Sequence, residues 1–583
     1  PLAKYCGLDC DLTLRLYTVL EPKLIKHNFY KLFRNMLMMA HRVLMESEFS
    51  GINVNRKYLD SLVPYYEDLI GTAESKLKNT KAVVKYDRYA KRQRTIKLIN
   101  KVKEEIKTLN QDLEEATDQK VINSINKKIS NRETKISEFI ANGPSSKKDI
   151  YTTINLGSSK QLGEFLYTAK KGLKLPPLMY TDSGAASTGE EALLKISASF
   201  EQKLLSDNTL SRKKIKKLKF AIEFFNTLFE WRGLSKLYST YVQGILERIT
   251  PKHRIHAGFL IHGTVTGRLS SRDPNLQNIP RTTTSNMIKP MFIPPKGYLL
   301  LEVDYSQAEL RVVAELAKET TMIEWFAKGY NIHVATACKM NHCIERYDEI
   351  KATIKDINHP DNEMWEKRKK KAKTVNFGIL YGQTKYKLAE SLKCTVDEAQ
   401  AFLEEWFVTF PKITKYIKKQ HRFAEQNGFV YSMWGRKRRL PDAQFKGDYE
   451  MQGYYQKALR EAINAPIQGA SNDFTVFSSV IIREQKIQGL LPWDLQQAYT
   501  VHDSLGYYVR PEDIHWVVPK LIEICNNPDT KVWFGFQMKY VKMKVSPEVG
   551  INWGSLREYD VENPGKEDYT KWIETPEYLK QYN

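Results

Sequence analysis

Two lysines and two aromatic residues recur at intervals of four in one segment of the chain: Lys369, Lys373, Phe377 and Tyr381. Residues four apart lie one above the other on an α-helix, so these side chains are predicted to share a face. Ammonium groups at one end of that face suit a polyphosphate, and aromatic rings at the other end suit a flat base. The spacing therefore predicts a nucleoside triphosphate site. The alternative interpretation is an amphipathic helix with a solvated lysine run.

Two aspartates are predicted at strand ends, where they could serve phosphoryl transfer. The apolar run 299–303 predicts a strand that delivers Asp304 just before a helical pattern. Asp503 lies between two runs of strand type and is predicted at a hairpin tip. Brought together, the pair could hold two Mg²⁺ ions about 3.5 to 4 Å apart, which clamp the attacking and leaving oxygens. Hard oxygen ligands suit Mg²⁺, and Mn²⁺ is the expected substitute. Either aspartate alone would more often be a turn or cap residue.

Several further motifs occur in order along the chain, and together they resemble the DNA polymerase I family, the family A DNA polymerases. The aspartate-bearing segments 304–311 and 502–503 are similar to that family's palm motifs, and 369–382 to its nucleotide-binding fingers helix. The other motifs are 155–162, the primer-template motif 266–280, and the segments 329–333, 435–441 and 460–469.

The resemblance implies an α+β multidomain fold of the right-hand polymerase type, with an antiparallel-sheet palm, helical fingers and a helical thumb. The expected domains are an exonuclease remnant over 1–29, a thumb over 30–249 with a helical insertion at about 80–145, palm segments over 250–320 and 431–583, and fingers over 321–430. The second palm segment includes the C-terminal tail. A late palm strand is expected at Lys542–Ser546.

Residue roles also follow from the resemblance. Asp304 and Asp503 would bridge the metal ions together with the backbone carbonyl of Tyr305. Lys373 would donate a proton to the departing pyrophosphate. Glu309 is expected to pack with Tyr381 where a ribose 2′-hydroxyl would project, which excludes ribonucleotides.

Other residues are assigned to the two substrates. Phe377 in place of tyrosine implies discrimination against chain-terminating dideoxynucleotides. The nucleotide-binding residues are expected to be Lys369, Phe377, Tyr381, Glu309, His333 and Gln307. The primer-template residues are expected to be Arg268, Gln277, Asn278, Arg460, Asn464, Gln468 and His502. Four of them, Arg268, Arg460, Asn464 and Gln468, would contact the backbone and the minor-groove edges, whose acceptors are similar for every base pair.

Two positions depart from the family pattern. Lys369 stands where arginine is usual, and a lysine cannot form a bidentate fork with phosphate, although the adjacent Arg368 could compensate. Ser504 replaces the acid that usually follows the last catalytic aspartate.

The predicted thumb is longer than the family leads one to expect. Apolar residues from Ile99 to Leu113 and from Ile122 to Ile136 step by three and four, which predicts two helices joined near Ala116. Basic residues from Lys85 to Lys107 would either form a solvated face or grip duplex DNA or a processivity partner.

The first residues resemble the last motif of a 3′→5′ proofreading nuclease, through Tyr5 and Asp9. The earlier carboxylates of such a nuclease are not in the sequence, so proofreading is expected to be absent.

Bulk properties agree with a polymerase. The net charge of +22 favours a polyanionic partner. No apolar run reaches the roughly 18 to 20 residues of a membrane span, and the first residues lack a signal peptide's apolar core. Six cysteines do not form a disulfide framework, and the group around His333 and Cys338 lacks a second ligand pair for zinc. A cytoplasmic monomer without membrane association is expected.

The sequence therefore predicts a DNA-templated DNA polymerase of phage-like, replicative type, which adds deoxynucleotides to a primer 3′-hydroxyl and releases pyrophosphate. A single-subunit RNA polymerase is the first alternative, but Glu309 and the motif around Gln468 favour deoxynucleotides. A nuclease would rest on Tyr5 and Asp9 alone. A catalytically dead DNA-binding protein would tolerate loss of Asp304, Lys373 or Asp503, and all three are present.

Overall fold

The computed structural model describes residues 2–142, 153–207, 209–279, 287–528, 530–534 and 537–582. The chain divides into two compact units: Pro1–Asp60 with Gly244–Asn583, and Ser61–Gln243. The end of the predicted insertion and the last residue of the primer-template motif, Pro280, lie outside the described residues. The predicted domain boundaries stay predictions.

The first unit begins with helices and a short strand. They are α1 (Leu2–Lys26), α2 (Tyr30–Leu32), a π-helical turn (Phe33–Leu37), α3 (Met38–Ser50) and β1 (Ile52–Val54). Helix α1 buries none of its residues, so Tyr5 and Asp9 are exposed on it. Helix α3 buries Ala40, Val43 and Leu44, which join the unit's main hydrophobic core.

The second unit is built from helices around a core rich in phenylalanine. Its helices are α4 (Arg56–Lys78), α5 (Lys81–Glu115), α6 (Gln119–Asn142), α7 (Ser159–Gly163), α8 (Glu190–Ser206) and α9 (Arg212–Leu237), with π-helical turns at Glu164–Thr168 and Tyr238–Gln243. Phe165, Phe224 and Phe225 are fully or almost fully buried in this core.

Helices α5 and α6 form the hairpin that the apolar spacing predicts. Thr80 caps α5 by accepting a hydrogen bond from the backbone N–H of Val83 at 3.4 Å. Arg132 Nε on α6 lies 2.7 Å from Glu105 Oε2 on α5. Both helices follow the predicted apolar segments, because their three- and four-residue steps place one apolar stripe on each helix.

The first unit resumes with short elements that lead to its central strand. They are α10 (Gly244–Leu246), β2 (Arg254–Ile255), β3 (Gly258–Leu260), β4 (Ser270–Arg272), β5 (Phe292–Ile293) and β6 (Leu299–Tyr305). Strands β2, β1 and β5 form one small sheet, and β3 pairs with β4.

A group of helices follows β6. They are α11 (Ala308–Ala317), α12 (Thr320–Ala327), α13 (Ile332–Lys339), α14 (Tyr347–Lys355), α15 (Asn362–Leu380), α16 (Lys385–Leu392), α17 (Val396–Thr409) and α18 (Pro411–Asn427). Thr395 starts α17 with a capping box that includes Glu398.

The remaining elements complete the sheet and its helical cover. They are β7 (Phe429–Tyr431), β8 (Lys437–Arg439), α19 (Gln452–Ile487), β9 (Gln496–Val501), β10 (Ser504–Val509), α20 (Ile514–Asn526), α21 (Thr530–Phe534), β11 (Val545–Gly550), β12 (Arg557–Glu558) and α22 (Pro576–Lys580).

The central sheet is antiparallel and has the strand order β12, β11, β6, β10, β9. Its middle strand β6 alternates between two faces, with Leu299, Leu301 and Val303 on one and Glu302 and Asp304 on the other. The antiparallel sheet and the mostly helical remainder confirm the predicted α+β class.

The strand predicted at Lys542–Ser546 is wrong in its start, because β11 begins at Val545. The backbone carbonyl of Lys542 instead accepts a hydrogen bond from Arg311 Nη1 at 2.8 Å, and that of Lys544 accepts one from the Ser306 N–H at 2.8 Å. These contacts with residues far away in the sequence therefore hold Lys542 and Lys544 outside strand β11.

The C-terminal tail packs into the first unit. Tyr578 is buried, and its hydroxyl accepts a hydrogen bond from the Gly297 N–H at 2.6 Å. Within the described ranges, no helix combines the length and the apolar character that crossing a membrane requires.

Candidate active site

Asp304 near the end of strand β6 and Asp503 in the turn before the neighbouring strand β10 lie next to each other. Strand β6 carries Asp304, whose Cα pairs with that of Ser504, the first residue of β10. Asp503 precedes Ser504 in the turn between β9 and β10. The Tyr305 N–H donates a hydrogen bond to the Asp503 carbonyl at 3.0 Å. The predicted strand end and hairpin tip are both confirmed, and the sheet brings the two aspartates together.

Gln277 holds the turn that carries Asp503. Its Nε2 donates to the Thr500 carbonyl at 2.9 Å, and its Oε1 accepts from the His502 N–H at 2.9 Å. Gln277 is buried, whereas the next residue, Asn278, is exposed. His502 has a positive φ of 54°, so its side chain leaves the regular strand direction. Gln277 was predicted to contact DNA, and the structure uses its amide to hold the backbone of this turn.

The donor set suits magnesium. Two carboxylates and the carbonyl of Tyr305 are hard oxygen donors, and Mg²⁺ is usually held by one or two carboxylates plus substrate phosphates. The Ser504 hydroxyl is buried and donates to the Val501 carbonyl at 3.0 Å, so it supports the turn. No group of three or more His, Cys, Asp or Glu side chains that could hold a metal lies among the described residues.

Glu309, at the start of α11, has partners on both carboxylate oxygens. Arg268 Nη2 lies 2.7 Å from Oε1, and the Tyr381 hydroxyl donates to Oε2 at 3.0 Å. Burial raises the pKa of Glu309, the Asp503 charge also raises it, and Arg268 opposes both. The pKa of Tyr381 is raised by burial and by Glu309. The expected Glu309–Tyr381 contact is present, while Arg268, predicted to face DNA, forms an ion pair with Glu309.

The loop that carries Arg268 is held by α19 and by a buried ion pair. Asn472 Nδ2 donates to the Gly267 carbonyl at 2.9 Å, and Asn472 Oδ1 accepts from the Leu269 N–H at 3.3 Å. Arg436 Nη2 bonds the fully buried Asp473 at 2.6 Å. Gly267 has a φ of +87°, and a Cβ there would overlap the Arg436 guanidinium. Only glycine fits this close approach.

Helix α15 carries the lysine and aromatic series. Lys369 Nζ lies 2.8 Å from Glu366 Oε1, and Lys373 is exposed. The rings of Phe377 and Tyr381 are stacked with centroids 6.0 Å apart. Placing Tyr381 on the helix was wrong by one residue: α15 ends at Leu380, and the Tyr381 N–H caps it by donating to the Phe377 carbonyl at 2.9 Å.

Arg368, which is expected to compensate for Lys369, packs on an aromatic ring of the same helix. Its guanidinium lies 4.6 Å from the centroid of the Trp365 ring, a cation–π contact that directs it along the helix surface.

His333, near the start of α13, is buried beside this helix. Its ring centroid lies 5.4 Å from that of Phe377. Burial lowers the pKa of His333 to about 4, and Lys373 and Lys369 contribute to the lowering. His333 was predicted to assist with phosphate, and it could do so at neutral pH only as an uncharged donor. Gln307 Oε1 accepts from the Ile332 N–H at 2.7 Å and so fixes the start of α13.

Arg460, Asn464 and Gln468 lie at intervals of four on α19 and are half-buried among mostly buried neighbours. Arg460 and Asn464 line a cavity of about 310 Å³ together with Tyr381 and Thr266. Gly382 has a φ of +63°, and a Cβ there would meet the Arg460 side chain at 2.6 Å. The end of α15 thus approaches the predicted primer-template residues closely.

Several residues with a part in this site have no clear signal in the sequence. They are Glu366, Asn472 and Asp473. A polar residue among the mostly buried residues of α19, such as Asn472, is the type of signal that could have revealed one of them.

Comparison with known proteins gives the family of this chain. The family model for DNA polymerase family A matches residues 115–555. The chain therefore belongs to DNA polymerase family A.

Individual relatives support this membership. The chain is 27% identical to a DNA polymerase of Bacillus phage SP01 over 99% of this chain and 57% of the relative. It is 32% identical to a DNA polymerase I of Pseudomonas aeruginosa over 68% of this chain and 38% of the relative. The chain thus spans between about two fifths and three fifths of these two relatives' lengths.

A solved structure has the same fold. It is the POL domain of Pol1 from M. smegmatis in complex with DNA primer-template and dNTP, with a TM-score of 0.67 and 24% identity over 93% of this chain and 74% of that chain.

Proposed function

We propose that this chain is a DNA-templated DNA polymerase that adds deoxynucleotides to a primer 3′-hydroxyl and releases pyrophosphate. The observation that carries the proposal is the juxtaposition of Asp304 on β6 and Asp503 in the turn before its partner strand β10, with the Tyr305 N–H bonded to the Asp503 carbonyl at 3.0 Å. Membership of family A and the primer-template and dNTP of the solved relative support the same substrates.

The two aspartates and the Tyr305 carbonyl would hold Mg²⁺, or Mn²⁺ in its place. The bound ions would lower the pKa of the primer hydroxyl and offset the charge that develops on the phosphates. Gln277 keeps the turn at Asp503 in place, which preserves the spacing of the two carboxylates.

The exposed face of α15 would bind the triphosphate. Lys373 would donate a proton to the departing pyrophosphate, and Lys369 would contact phosphate after exchanging its partner Glu366. Electrostatic stabilisation of this kind supplies most of the catalysis in phosphoryl transfer. The stacked rings of Phe377 and Tyr381 would bound the base and sugar.

Glu309 would exclude ribonucleotides, because Arg268 and Tyr381 hold both of its oxygens in a fixed orientation. Phe377 would disfavour dideoxynucleotides. The face of α19 with Arg460, Asn464 and Gln468, together with Asn278 and His502, would contact the primer-template duplex. Arg268 would join them through a guanidinium nitrogen other than the Nη2 that bonds Glu309.

Wider properties are part of the proposal. The similarity to a phage DNA polymerase over 99% of this chain supports a replicative enzyme of phage type. That the enzyme acts as a monomer in the host cytoplasm stays a prediction. The α5–α6 hairpin would grip duplex DNA or bind a processivity partner. The absence of proofreading stays a prediction, and a primer incubated without nucleotides tests it.

Substitution at the aspartates tests the proposal. Asp304→Asn and Asp503→Asn are expected to abolish extension of a labelled primer in Mg²⁺, because an amide cannot replace the carboxylate charge. Both variants should bind duplex DNA as the wild type does. Ser504→Ala is the matched control on the same turn and should retain extension. Extension by either asparagine variant would contradict the metal assignment.

A further inference from the structure

A buried polar network lies beneath His333 and joins α13, α15 and α17. The Trp406 indole Nε1 donates to Asn376 Oδ1 at 2.7 Å. Asn376 Nδ2 lies 3.1 Å from His333 Nδ1. Thr336 Oγ1 lies 3.3 Å from Asn376 Nδ2 and 3.4 Å from Asn376 Oδ1. Asn376 is fully buried and Trp406 almost so, so this arrangement is isolated from solvent.

The chemistry of these groups fixes which atoms donate. An indole nitrogen can only donate a hydrogen bond, so the oxygen of the Asn376 amide must face Trp406. The amide NH₂ group must then face His333. Because that group has no lone pair to offer, Nδ1 of His333 has to be the acceptor, and a neutral imidazole with Nδ1 unprotonated carries its proton on Nε2.

We propose that Asn376, oriented by Trp406, is a positioning residue that fixes His333 as the neutral tautomer protonated on Nε2, ready to donate a hydrogen bond to the triphosphate. The donation to a triphosphate rests on the proposed function, whereas the tautomer depends only on the network.

Surrounding charges favour the same neutral state. Lys369 and Lys373 on α15 face His333 and oppose a further positive charge, while burial disfavours an imidazolium. Phe377 on α15, whose ring packs against that of His333, and Asn376, which contacts Nδ1, are both uncharged. His333 therefore offers the phosphates a donor without adding to the repulsion between the two ammonium groups.

Nitrogen NMR on protein labelled at its histidines tests the tautomer directly. His333→Gln identifies the His333 signals among those of the 11 histidines. The wild type is expected to show a neutral ring protonated on Nε2 from pH 5 to 8. Asn376→Asp places a carboxylate beside Nδ1, which should protonate both nitrogens at pH 7. A wild-type proton on Nδ1, or an unchanged His333 spectrum in Asn376→Asp, would overturn the proposal.

Steady-state kinetics provide a measurement that would not change if the role of Asn376 were purely structural. In Asn376→Asp, His333 loses one of its two protons as the pH rises through its pKa. The proton that remains stays on Nδ1, next to the introduced carboxylate, so Nε2 can no longer donate a hydrogen bond. The KM for deoxynucleotides should then rise about tenfold with pH, the expected loss for a hydrogen bond to a charged group, with kcat changing much less. The KM of the wild type should not rise with pH in this way.

Two further variants separate this role from general stability. Trp406→Phe removes the N–H that orients the amide and is expected to give a mixture of tautomers. Thr336→Val removes hydrogen bonds to the same amide but leaves the Trp406 and His333 contacts, so tautomer and KM should match the wild type. Equal KM changes in Thr336→Val and Asn376→Asp would contradict the positioning role. A wild type that fails to extend primers would refute the proposed function, while the spectra would still decide the tautomer.

Discussion

At the scale of single residues, Glu309 connects the predicted metal site to the predicted sugar site. It is only 5% exposed, and Arg268 and Tyr381 occupy its two oxygens. Burial and Asp503 both raise its pKa, so the Arg268 ion pair favours its ionised form. In the proposed function, a carboxylate held in this way would block the 2′-hydroxyl of a substrate ribose.

Glu309→Ala is predicted to admit ribonucleotides. Removing the carboxylate opens space for a 2′-hydroxyl, so relative ribonucleotide incorporation should rise about tenfold to hundredfold, the range over which pocket size discriminates. Single-nucleotide addition with matched deoxy- and ribonucleotides measures it. Tyr381→Phe removes only the 3.0 Å hydrogen bond and should have a smaller effect. An unchanged ratio in Glu309→Ala would refute the sugar-gate role.

His333 is predicted to make stability depend on pH. Its pKa falls from 6.5 to about 4 on folding, so below pH 6.5 the unfolded chain binds a proton that the folded chain does not. The stabilisation is therefore complete above pH 6.5 and is lost as the pH falls towards 4. One pKa unit corresponds to about 1.4 kcal/mol, which gives about 3 kcal/mol in total. Denaturant unfolding of His333→Gln should lose this part of the pH dependence; identical profiles would contradict it.

At the scale of secondary-structure elements, the β9–β10 hairpin needs Gln277 to hold its turn. Gln277→Leu should lower kcat about tenfold or more, because two backbone groups lose their partners at a cost of about 1 to 3 kcal/mol each. Steady-state primer extension measures this change. Duplex affinity should change little. Asn278, the exposed residue that follows Gln277, is expected to show the opposite effect: Asn278→Ala should weaken duplex binding and leave kcat unchanged. A normal kcat in Gln277→Leu would show that the turn holds its shape without the amide.

The basic half of α5 is predicted to contact DNA backbone. Replacing Lys85, Lys91 and Arg92 by alanine should reduce the slope of log affinity against log salt by about 0.9 for each phosphate that is no longer neutralised. The matched control replaces Lys120, Lys127 and Lys128, which are exposed on α6. Fluorescence titration of a primer-template duplex at several salt concentrations gives the slope. Equal slopes in both triple variants would favour a solvated face.

Short-range patterns of apolar residues in the sequence predicted many of these strands and helices. The apolar run before Asp304 predicts its strand, and the steps of three and four predict α5 and α6, because both signals depend on near neighbours. The role of Gln277 could not be predicted, since its partners Thr500 and His502 lie 223 and 225 residues away. The Arg268–Glu309 ion pair also could not be predicted, because its two residues are 41 positions apart in the sequence.

At the scale of the whole molecule, the net charge of +22 and membership of family A both support the proposed polyanionic partner, DNA. A net positive charge alone is compatible with many polyanionic partners. In the proposed function, the aspartate pair and the α15 series would carry out nucleotidyl transfer, and Glu309 would restrict the substrate to deoxynucleotides. These three features all lie in the first compact unit.

Template-directed addition of one nucleotide is the most direct test of this function. Four primer-templates that differ only in the templating base would each be incubated with Mg²⁺ and a single deoxy- or ribonucleotide. The predicted result is extension by the complementary deoxynucleotide alone on every template, and none in Asp503→Asn. Addition that ignores the template, efficient use of ribonucleotides, or no addition at any salt concentration would contradict a DNA-templated DNA polymerase gated by Glu309.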